Sequence, residues 1–221
     1  MTYDLIIFDY DGVAPDSELL ASPTLAEQLP AAGLPNTLDE VLAQYVGRRW
    51  RDNRALVEAR HGRPCPEDFH IGFSRETRVR AQAELEPVAG LHDFLNLRSE
   101  ARCIASSSGP EWLALGLDRF GLAEMFGERV YSAALHVERG KPHPDVFLYA
   151  ARDLDVDPAR VLVIEDSEAG VEAGLSAGMT VVGLTAGGHA RDDLGARLSG
   201  KGAHHVGHSY AAVAGVMDRW A

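Results

Sequence analysis

Two aspartates, Asp9 and Asp11, stand one residue apart directly after the first apolar run of the chain, residues 5–8. Four apolar residues without a charge are typical of a strand that is buried on both faces of a parallel sheet. Ligands of such sheets bind beyond the carboxyl ends of the strands, so the pair is predicted to lie where chemistry takes place. The carboxylates could bind a cation, act as a nucleophile and its acid/base partner, or do all of these. An Asp-x-Asp-Gly sequence is also common in a plain turn after a strand, so other residues must decide.

Three serines, Ser106, Ser107 and Ser108, follow a second apolar run, 103–105, and precede a segment with helical spacing. A serine at this place can accept a hydrogen bond from a free backbone N–H group at the start of the helix. Hydroxyl and N–H groups at a helix start also form a binding corner for phosphate. Both roles can hold together, and we expect at least one of the serines to cap the helix.

Lys141 is one of only two lysines in a chain that has nineteen arginines. It lies just before a predicted helix that starts near Pro144. A compact ammonium on a flexible stem suits a contact with a phosphoryl oxygen or a carboxylate. Taken alone, Lys141 would be interpreted as a surface charge before a helix, and Lys201 as a solvated loop residue.

Glu165 and Asp166 follow a further apolar run, 161–164. Two adjacent carboxylates at this place would repel Asp9 and Asp11 unless a cation lay between the two pairs. Mg²⁺ prefers oxygen ligands and is usually held by a few carboxylates, several waters and substrate phosphate. The sequence therefore predicts a Mg²⁺ site formed by the two acidic pairs.

Strand-like apolar runs alternate with segments of helical spacing along most of the chain. This alternation predicts an α/β fold with a Rossmann-like, doubly wound parallel sheet. The predicted strands are 5–8, 103–105, 130–131, 161–164, 181–184 and 205–206, and the predicted helices are 90–99, 111–120, 145–154, 168–177 and 210–220.

Residues 16–85 interrupt this alternation, since they contain four helix-like segments and no convincing strand. We interpret them as an inserted small α-helical cap domain, with residues 1–15 and 86–221 as the catalytic core. The insertion begins beside the first acidic pair, so it could close over the site and exclude water.

The composition limits the possible partners and compartments. A formal charge of −12 and a pI near 5.1 argue against nucleic acid as a partner. Cys65 and Cys103 are the only cysteines, which makes a secreted disulfide framework improbable and favours a reducing cytosol. No window approaches the ~18 apolar residues of a membrane-spanning helix, and no basic targeting segment precedes the first strand. We expect a soluble, cytoplasmic monomer without a membrane partner.

The predicted groups are those that phosphoryl transfer requires, because a divalent cation and a lysine offset the repulsion between an anionic nucleophile and a phosphate. The motifs resemble, in order and spacing, those of the haloacid dehalogenase superfamily of phosphotransferases. The closest resemblance is to its β-phosphoglucomutase-like and phosphogluconate-phosphatase-like branch, which has a helical cap. The motifs that carry the resemblance are residues 8–13 with 16–18, 105–108, 140–145 and 164–167, and the match spans nearly the whole chain.

The resemblance implies a role for each core residue. Asp9 would attack phosphorus to form an aspartyl-phosphate, while Asp11 would protonate the leaving group and then activate water. Ser106 and the backbone N–H of Ser107 would bind the transferring phosphoryl group. Lys141 would contact both this group and Asp9.

The resemblance also implies a Mg²⁺ cofactor. The ligands would be the Asp9 side chain, the Asp11 carbonyl oxygen and Asp166. Glu165 would bind the ion directly or through water, or lie just behind the ligands.

Substrate identity would depend on the cap, where residues 47–52 occupy the specificity loop of the family. Three arginines and an aromatic residue in this loop favour a polar, anionic substrate such as a sugar phosphate or a sugar-acid phosphate. Any individual arginine could instead be solvated at a helix start. The predicted substrate-binding residues are Gly47, Arg48, Arg49 and Trp50, together with Ser107 and Ser108.

Sugar phosphomutases of this branch carry a histidine where the chain has Ala21 and an arginine that aligns on Trp50, although Arg49 or Arg51 could substitute. Both differences favour hydrolysis. We therefore predict a Mg²⁺-dependent phosphatase of a small phosphorylated metabolite. The alternatives are a sugar phosphomutase and a non-catalytic binding protein on the same scaffold.

Three further features are interpreted as structural. Trp112 lies on a helical stripe, where core packing is the expected role. Residues 187–189, Gly-Gly-His, are interpreted first as a turn after a strand, and the histidines of residues 204–208 as a surface run.

Overall fold

Six parallel strands form one sheet in residues 3–220, the part of the chain that this computed structural model describes. The strand order is β3-β2-β1-β4-β5-β6, so β1 lies at the centre, next to β2 and β4. The strands are β1 (Leu5–Phe8), β2 (Ala101–Ser106), β3 (Val130–Ser132), β4 (Val161–Glu165), β5 (Thr180–Leu184) and β6 (His205–Gly207). The sheet confirms the predicted doubly wound α/β fold.

Helices cover both faces of the sheet, which explains why its central strands are apolar without alternation. Ile6 and Phe8 pack on one face with α5 (Leu91–Leu97), α6 (Pro110–Arg119) and α12 (Tyr210–Trp220). Leu5 and Ile7 pack on the other face with α9 (Asp145–Asp153), α10 (Glu168–Ser176) and α11 (Leu194–Gly200). Each of these four side chains is at most 1% exposed, and burial of a side chain of this size contributes about 1.5–3 kcal/mol.

Five helices lie between β1 and β2 in the chain, and the four that precede α5 are α1 (Glu18–Ala31), α2 (Leu38–Gln44), α3 (Trp50–His61) and α4 (Phe69–Glu84). They have a core of their own, in which Trp50 stacks on Phe69 with a distance of 5.1 Å between ring centroids. A capping box of Thr37 and Glu40 starts α2. The division of the chain into a cap domain at 16–85 and a core stays a prediction.

The element bounds agree with the predicted ones to within two residues, and three helices were not predicted. Two of these are single turns, α7 (Ala123–Phe126) and α8 (Ala133–His136), and the third is α11. Elements this short leave little periodicity in a sequence. None of the helices in residues 3–220 is both long and apolar enough to cross a membrane.

Candidate active site

The site lies where the three central strands end. Asp9 follows β1, Ser106 is the last residue of β2, and Glu165 is the last residue of β4. The backbone N–H of Asp9 donates to the carbonyl oxygen of Ile164 at 2.9 Å, which sets Asp9 beside Glu165. The parallel sheet thereby brings together residues that are far apart in the sequence.

A buried lysine joins the two acids. Lys141 Nζ donates to Asp9 Oδ1 at 2.5 Å and to Glu165 Oε1 at 2.7 Å, and the three side chains are at most 4% exposed. Burial and the Glu165 carboxylate raise the pKa of Asp9 well above its ordinary value, although Lys141 opposes them. Burial lowers the pKa of Lys141, but the two carboxylates outweigh it, so this pKa lies above its ordinary value and the ammonium stays charged.

Asp166 has the features of a metal ligand. Both of its carboxylate oxygens are buried and have no hydrogen-bond partner among the described residues, which is unusual for a buried carboxylate. Ligand atoms of Asp9, Glu165 and Asp166 all lie within 4.8 Å of one another. Oxygen donors of this kind fit a hard divalent cation, so this cluster could hold one. Gly12 adjoins Asp166 so closely that a Cβ atom on this glycine would lie 1.8 Å from Asp166 Oδ2.

The Glu165 side chain accepts three hydrogen bonds, more than the side chain of Asp9 or Asp166. Its Oε2 accepts bonds from the backbone N–H and the hydroxyl of Ser167 at 2.8 and 2.9 Å, while Oε1 accepts from Lys141. Direct coordination of a cation would compete with these bonds. Coordination by Glu165, directly or through water, stays a prediction.

His189 is a residue of the site that the sequence did not predict as such. It is buried, and its Nε2 lies 3.1 Å from Asp166 Oδ2 in a poorly aligned ion pair. Burial lowers the pKa of His189, but Asp166 outweighs it and the pKa rises to about 9. Burial raises the pKa of Asp166 to about 6. The only sequence signal was the position of His189 after β5, beyond the carboxyl edge of the sheet.

Asp11 has three neutral donors. Its Oδ1 accepts bonds from Ser17 Oγ at 2.6 Å and from Trp112 Nε1 at 2.7 Å, and its Oδ2 accepts a bond from Ser108 Oγ. Trp112 does pack against the core, as expected, but its indole N–H also contacts the second acid of the pair. Nothing in the local sequence predicted this contact, because the two residues are 101 positions apart.

The serine loop connects β2 to α6 without capping the helix. Ser106 Oγ accepts a bond from the backbone N–H of Ser108 at 3.0 Å, whereas the N-cap residue of α6 is Gly109, with no side-chain cap. The expectation that one of the three serines caps α6 is therefore wrong. Ser106 is buried next to Asp9 at the strand ends, while Ser107 and Ser108 are half-buried.

The turn before α3 contacts this serine loop. Ser107 Oγ donates to the carbonyl oxygen of Gly47 at 2.8 Å. Arg49 Nη1 donates to the carbonyl oxygen of Glu138 at 2.9 Å, and Arg49 Nε forms an ion pair with Asp52 at 2.9 Å. The Arg49 guanidinium thus holds the inserted helices against the loop that leads to Lys141.

A cavity of about 840 Å³ lies between the inserted helices and the ends of the strands. Most of the predicted residues line it, whereas Lys141, Glu165 and Asp166 are buried and do not. Trp50 lines this cavity and also stacks on Phe69. The lining residues among those predicted are Asp9, Asp11, Ser106, Ser107, Ser108 and residues 47–50.

Glu18, at the start of α1, also lines this cavity. It accepts a hydrogen bond from Ser22 Oγ at 2.5 Å, and burial raises its pKa to about 7, although the charge of His189 opposes the rise. No role of Glu18 itself was predicted from the sequence.

A parallel α/β sheet here brings carboxylates and hydroxyl groups to one cavity, and a lysine is buried behind Asp9. These are the groups that hydrolases of phosphoric monoesters require. The chain belongs to the haloacid dehalogenase-like hydrolase family, whose model matches residues 3–178. This confirms the family that the motifs indicated.

Named relatives include both phosphatases and a mutase. The fructose-1-phosphate phosphatase of Escherichia coli (strain K12) is 30% identical over 182 residues, with 81% of this chain and 95% of the relative covered. The β-phosphoglucomutase of Bacillus subtilis (strain 168) is 53% identical over 208 residues, with 87% of each chain covered. A family hydrolase of Deinococcus radiodurans R1, solved with bound phosphate and sodium, is 34% identical with a TM-score of 0.72, covering 96% of this chain and 93% of that chain.

Proposed function

We propose that this protein is a Mg²⁺-dependent phosphatase that hydrolyses a sugar phosphate or sugar-acid phosphate through an aspartyl-phosphate on Asp9. The observation that carries the proposal is the buried contact of Asp9 with Lys141, at 2.5 Å, on the floor of a large cavity. A carboxylate in contact with an ammonium can act as a nucleophile on phosphorus, because the positive charge of Lys141 favours its ionised form against the effect of burial.

Two displacement steps account for hydrolysis. In the first, an Asp9 oxygen bonds to phosphorus while the bond between phosphorus and the ester oxygen breaks, and Asp11 gives its proton to that oxygen. In the second, a water oxygen attacks phosphorus and its proton passes to Asp11, so that Asp9 leaves as a carboxylate and inorganic phosphate forms. Both carboxyl groups thus return to their starting states.

Asp9, Asp166 and the Asp11 carbonyl oxygen would hold the Mg²⁺ ion, with Glu165 bound directly or through water. The unpartnered oxygens of Asp166 support this assignment. When bound, the ion neutralises part of the negative charge of the phosphoryl group and the carboxylates. Lys141 adds a second positive charge, which its two carboxylate partners keep in place.

The serine loop would bind the transferring phosphoryl group. Ser106 lies at the end of β2, next to β1 and Asp9, and its hydroxyl can donate because the bond it makes with Ser108 uses its oxygen as acceptor. Ser107 and Ser108 line the same cavity, and the Ser108 hydroxyl donates to Asp11. Donors in fixed positions stabilise the charge that develops during transfer.

The far wall of the cavity supports an anionic or polyhydroxylated leaving group. Arg48 and Arg51 line this wall, and neither takes part in an ion pair within residues 3–220. Guanidinium groups bind carboxylate and phosphate through two parallel hydrogen bonds. A cavity of about 840 Å³ is also much larger than a phosphate ion requires.

A phosphate-release screen tests the proposal. The panel holds sugar phosphates, sugar-acid phosphates and phosphoglycolate, each with Mg²⁺ and with EDTA, and the control is Asp9→Asn. We expect release from at least one sugar compound, at least ~100-fold above the control and abolished by EDTA. If no compound releases phosphate above the Asp9→Asn background, the protein is not a phosphatase.

A sugar phosphomutase is the second candidate, because the β-phosphoglucomutase of Bacillus subtilis is among the relatives. Ala21 lines the cavity, at the position where the sequence comparison placed the histidine of the mutases. Phosphorus NMR of a hexose 1-phosphate with the protein separates the two candidates. Phosphatase activity yields inorganic phosphate, whereas a mutase would accumulate the hexose 6-phosphate.

A further inference from the structure

The indole of Trp112 links the core of the protein to the acid/base aspartate. Trp112 is the third residue of α6, and it packs against the hydrophobic core on the side of α5, α6 and α12 and against a small apolar cluster that contains Leu20 and Ala81 of the inserted helices. The same residue lines the cavity and donates from Nε1 to Asp11 Oδ1 at 2.7 Å. The indole therefore has one apolar face in the core and its polar edge at the site.

The two aspartates of the pair have different surroundings. Asp9 faces the charged Lys141, whereas the donors to Asp11 are neutral and come from three separate segments of the chain: Ser17, Ser108 and Trp112. A fixed cation favours the ionised form of a carboxyl group. Neutral donors can hold the direction of a carboxyl group that must gain and lose a proton in each cycle.

A second hydrogen bond connects the start of α6 to the segment of the acidic pair. The hydroxyl of Tyr10, the residue between the two aspartates, donates to the carbonyl oxygen of Leu113 at 3.0 Å. Gly116 leaves room for this hydroxyl, since a Cβ atom there would lie 2.0 Å from it. Removal of the Trp112 N–H therefore leaves α6 attached to the chain beside Asp11.

We infer that Trp112 is a positioning residue, which orients the carboxyl group of Asp11 toward the leaving-group oxygen of the substrate. The inference rests on the proposed function, because Asp11 must be the acid that protonates this oxygen. Of the three donors, Trp112 is the one whose side chain is fixed by packing against the core. Ser17 and Ser108 donate from hydroxyl groups that rotate freely about one bond.

Leaving-group dependence tests this role. The variant Trp112→Phe keeps an aromatic ring and lacks the N–H donor. The parameter is kcat/KM, which covers the steps up to departure of the leaving group. The substrates are the sugar phosphate that reacts fastest in the screen and p-nitrophenyl phosphate, whose leaving group needs no proton. We expect Trp112→Phe to lower kcat/KM about 10- to 100-fold for the sugar phosphate and less than about 3-fold for the aryl ester, because one hydrogen bond to a charged group is lost.

Trp220→Phe is the matched control, because Trp220 is also partly buried against the same core and packs on Tyr3 and His205, away from the cavity. We expect this variant to retain the wild-type ratio between the two esters. If Trp112→Phe unfolds, replacement of Trp112 by benzothienylalanine removes the N–H and keeps the shape of the indole.

Equal losses on both esters, or no loss on either, would overturn the role of Trp112 and leave the phosphatase assignment intact. An increase in kcat/KM for the sugar phosphate would also overturn it, since Trp112 would then restrain Asp11. A wild-type protein that releases phosphate from neither ester would overturn the proposed function, and the role of Trp112 with it.

Discussion

Two buried cations face the buried carboxylates of this site, and their contacts differ in quality. Lys141 Nζ lies within hydrogen-bond distance of both Asp9 and Glu165. His189 Nε2 lies 3.1 Å from Asp166 Oδ2, with poor alignment. An unpaired buried charge is costly, so each carboxylate needs its neighbouring cation when no other ion is bound. For His189 this makes the stability of the metal-free protein depend on pH.

The substitution His189→Gln tests this dependence. The folded-state pKa of His189 is raised from 6.5 to about 9. A histidine whose pKa is higher in the folded than in the unfolded state stabilises the folded protein fully at pH values below its unfolded-state pKa. This contribution is lost as the pH rises through about 9. In EDTA, we expect His189→Gln to lower the free energy of unfolding by about 2 kcal/mol near pH 7 and by much less above about pH 10, as measured by urea unfolding.

The exposed His208, which contacts Thr185, supplies the control. We expect His208→Gln to shift the unfolding free energy by less than about 0.5 kcal/mol at either pH. A deficit of His189→Gln that stays constant from pH 7 to 10 would mean that packing, and not charge, determines the effect.

At the scale of elements, the short turn between α2 and α3 joins the inserted helices to the core. Gly47 accepts a bond from Ser107, and a Cβ atom on Gly47 would lie 2.1 Å from Ser167 Oγ. Arg49, which lies in the same turn, donates a hydrogen bond to the carbonyl oxygen of Glu138. The turn thus touches the loops after β2 and β4 and the loop before Lys141.

The substitution Gly47→Ala should move the turn between α2 and α3 away from the loops that follow β2 and β4. Gly47 has a φ of +78° and no room for a side chain, so alanine meets both backbone strain and Ser167. Gly62→Ala is the matched control, because Gly62 has a φ of +62° and nothing within 4 Å of the added methyl group. We expect Gly47→Ala to cost about 1–3 kcal/mol of unfolding free energy beyond the control. We also expect kcat/KM for the sugar phosphate to fall about tenfold, since the cavity wall is displaced. Equal values for both variants would show that the turn does not need this close contact.

Sequence patterns predicted the elements better than the contacts between them. The apolar run of β4 and the acids after it were predictable, because strand burial and the carboxyl-edge rule depend on local sequence. The hydrogen bond of Trp112 with Asp11 and the ion pair of His189 with Asp166 were not, because each joins residues that only the folded sheet brings together. Ser106 shows the same limit: its place at the strand end was predicted, but a loop N–H takes the bond expected for a helix cap.

At the scale of the whole molecule, the distribution of negative charge matters. The chain has a formal charge of −12, and most of its ion pairs lie at the surface. Divalent cations can therefore bind nonspecifically to the acidic surface, as well as at the buried cluster of Asp9, Glu165 and Asp166. A test of metal binding must distinguish these two modes.

Thermal unfolding with and without Mg²⁺ makes this distinction. An ion that binds only the folded state stabilises it by about 2.7 kcal/mol at 100 times its Kd, or roughly 5–10 °C in Tm for a chain of this size. We expect this rise in the wild type and its loss in Asp166→Asn, which keeps the shape of the side chain and removes the charge of the unpartnered oxygens. The control Glu168→Gln removes one charge from a partly exposed pair with Arg197 and should keep the full rise. NaCl at matched ionic strength measures the screening of surface charge alone. If Mg²⁺ raises the Tm of Asp166→Asn as much as that of the wild type, the ion binds the acidic surface and the buried cluster is not its site.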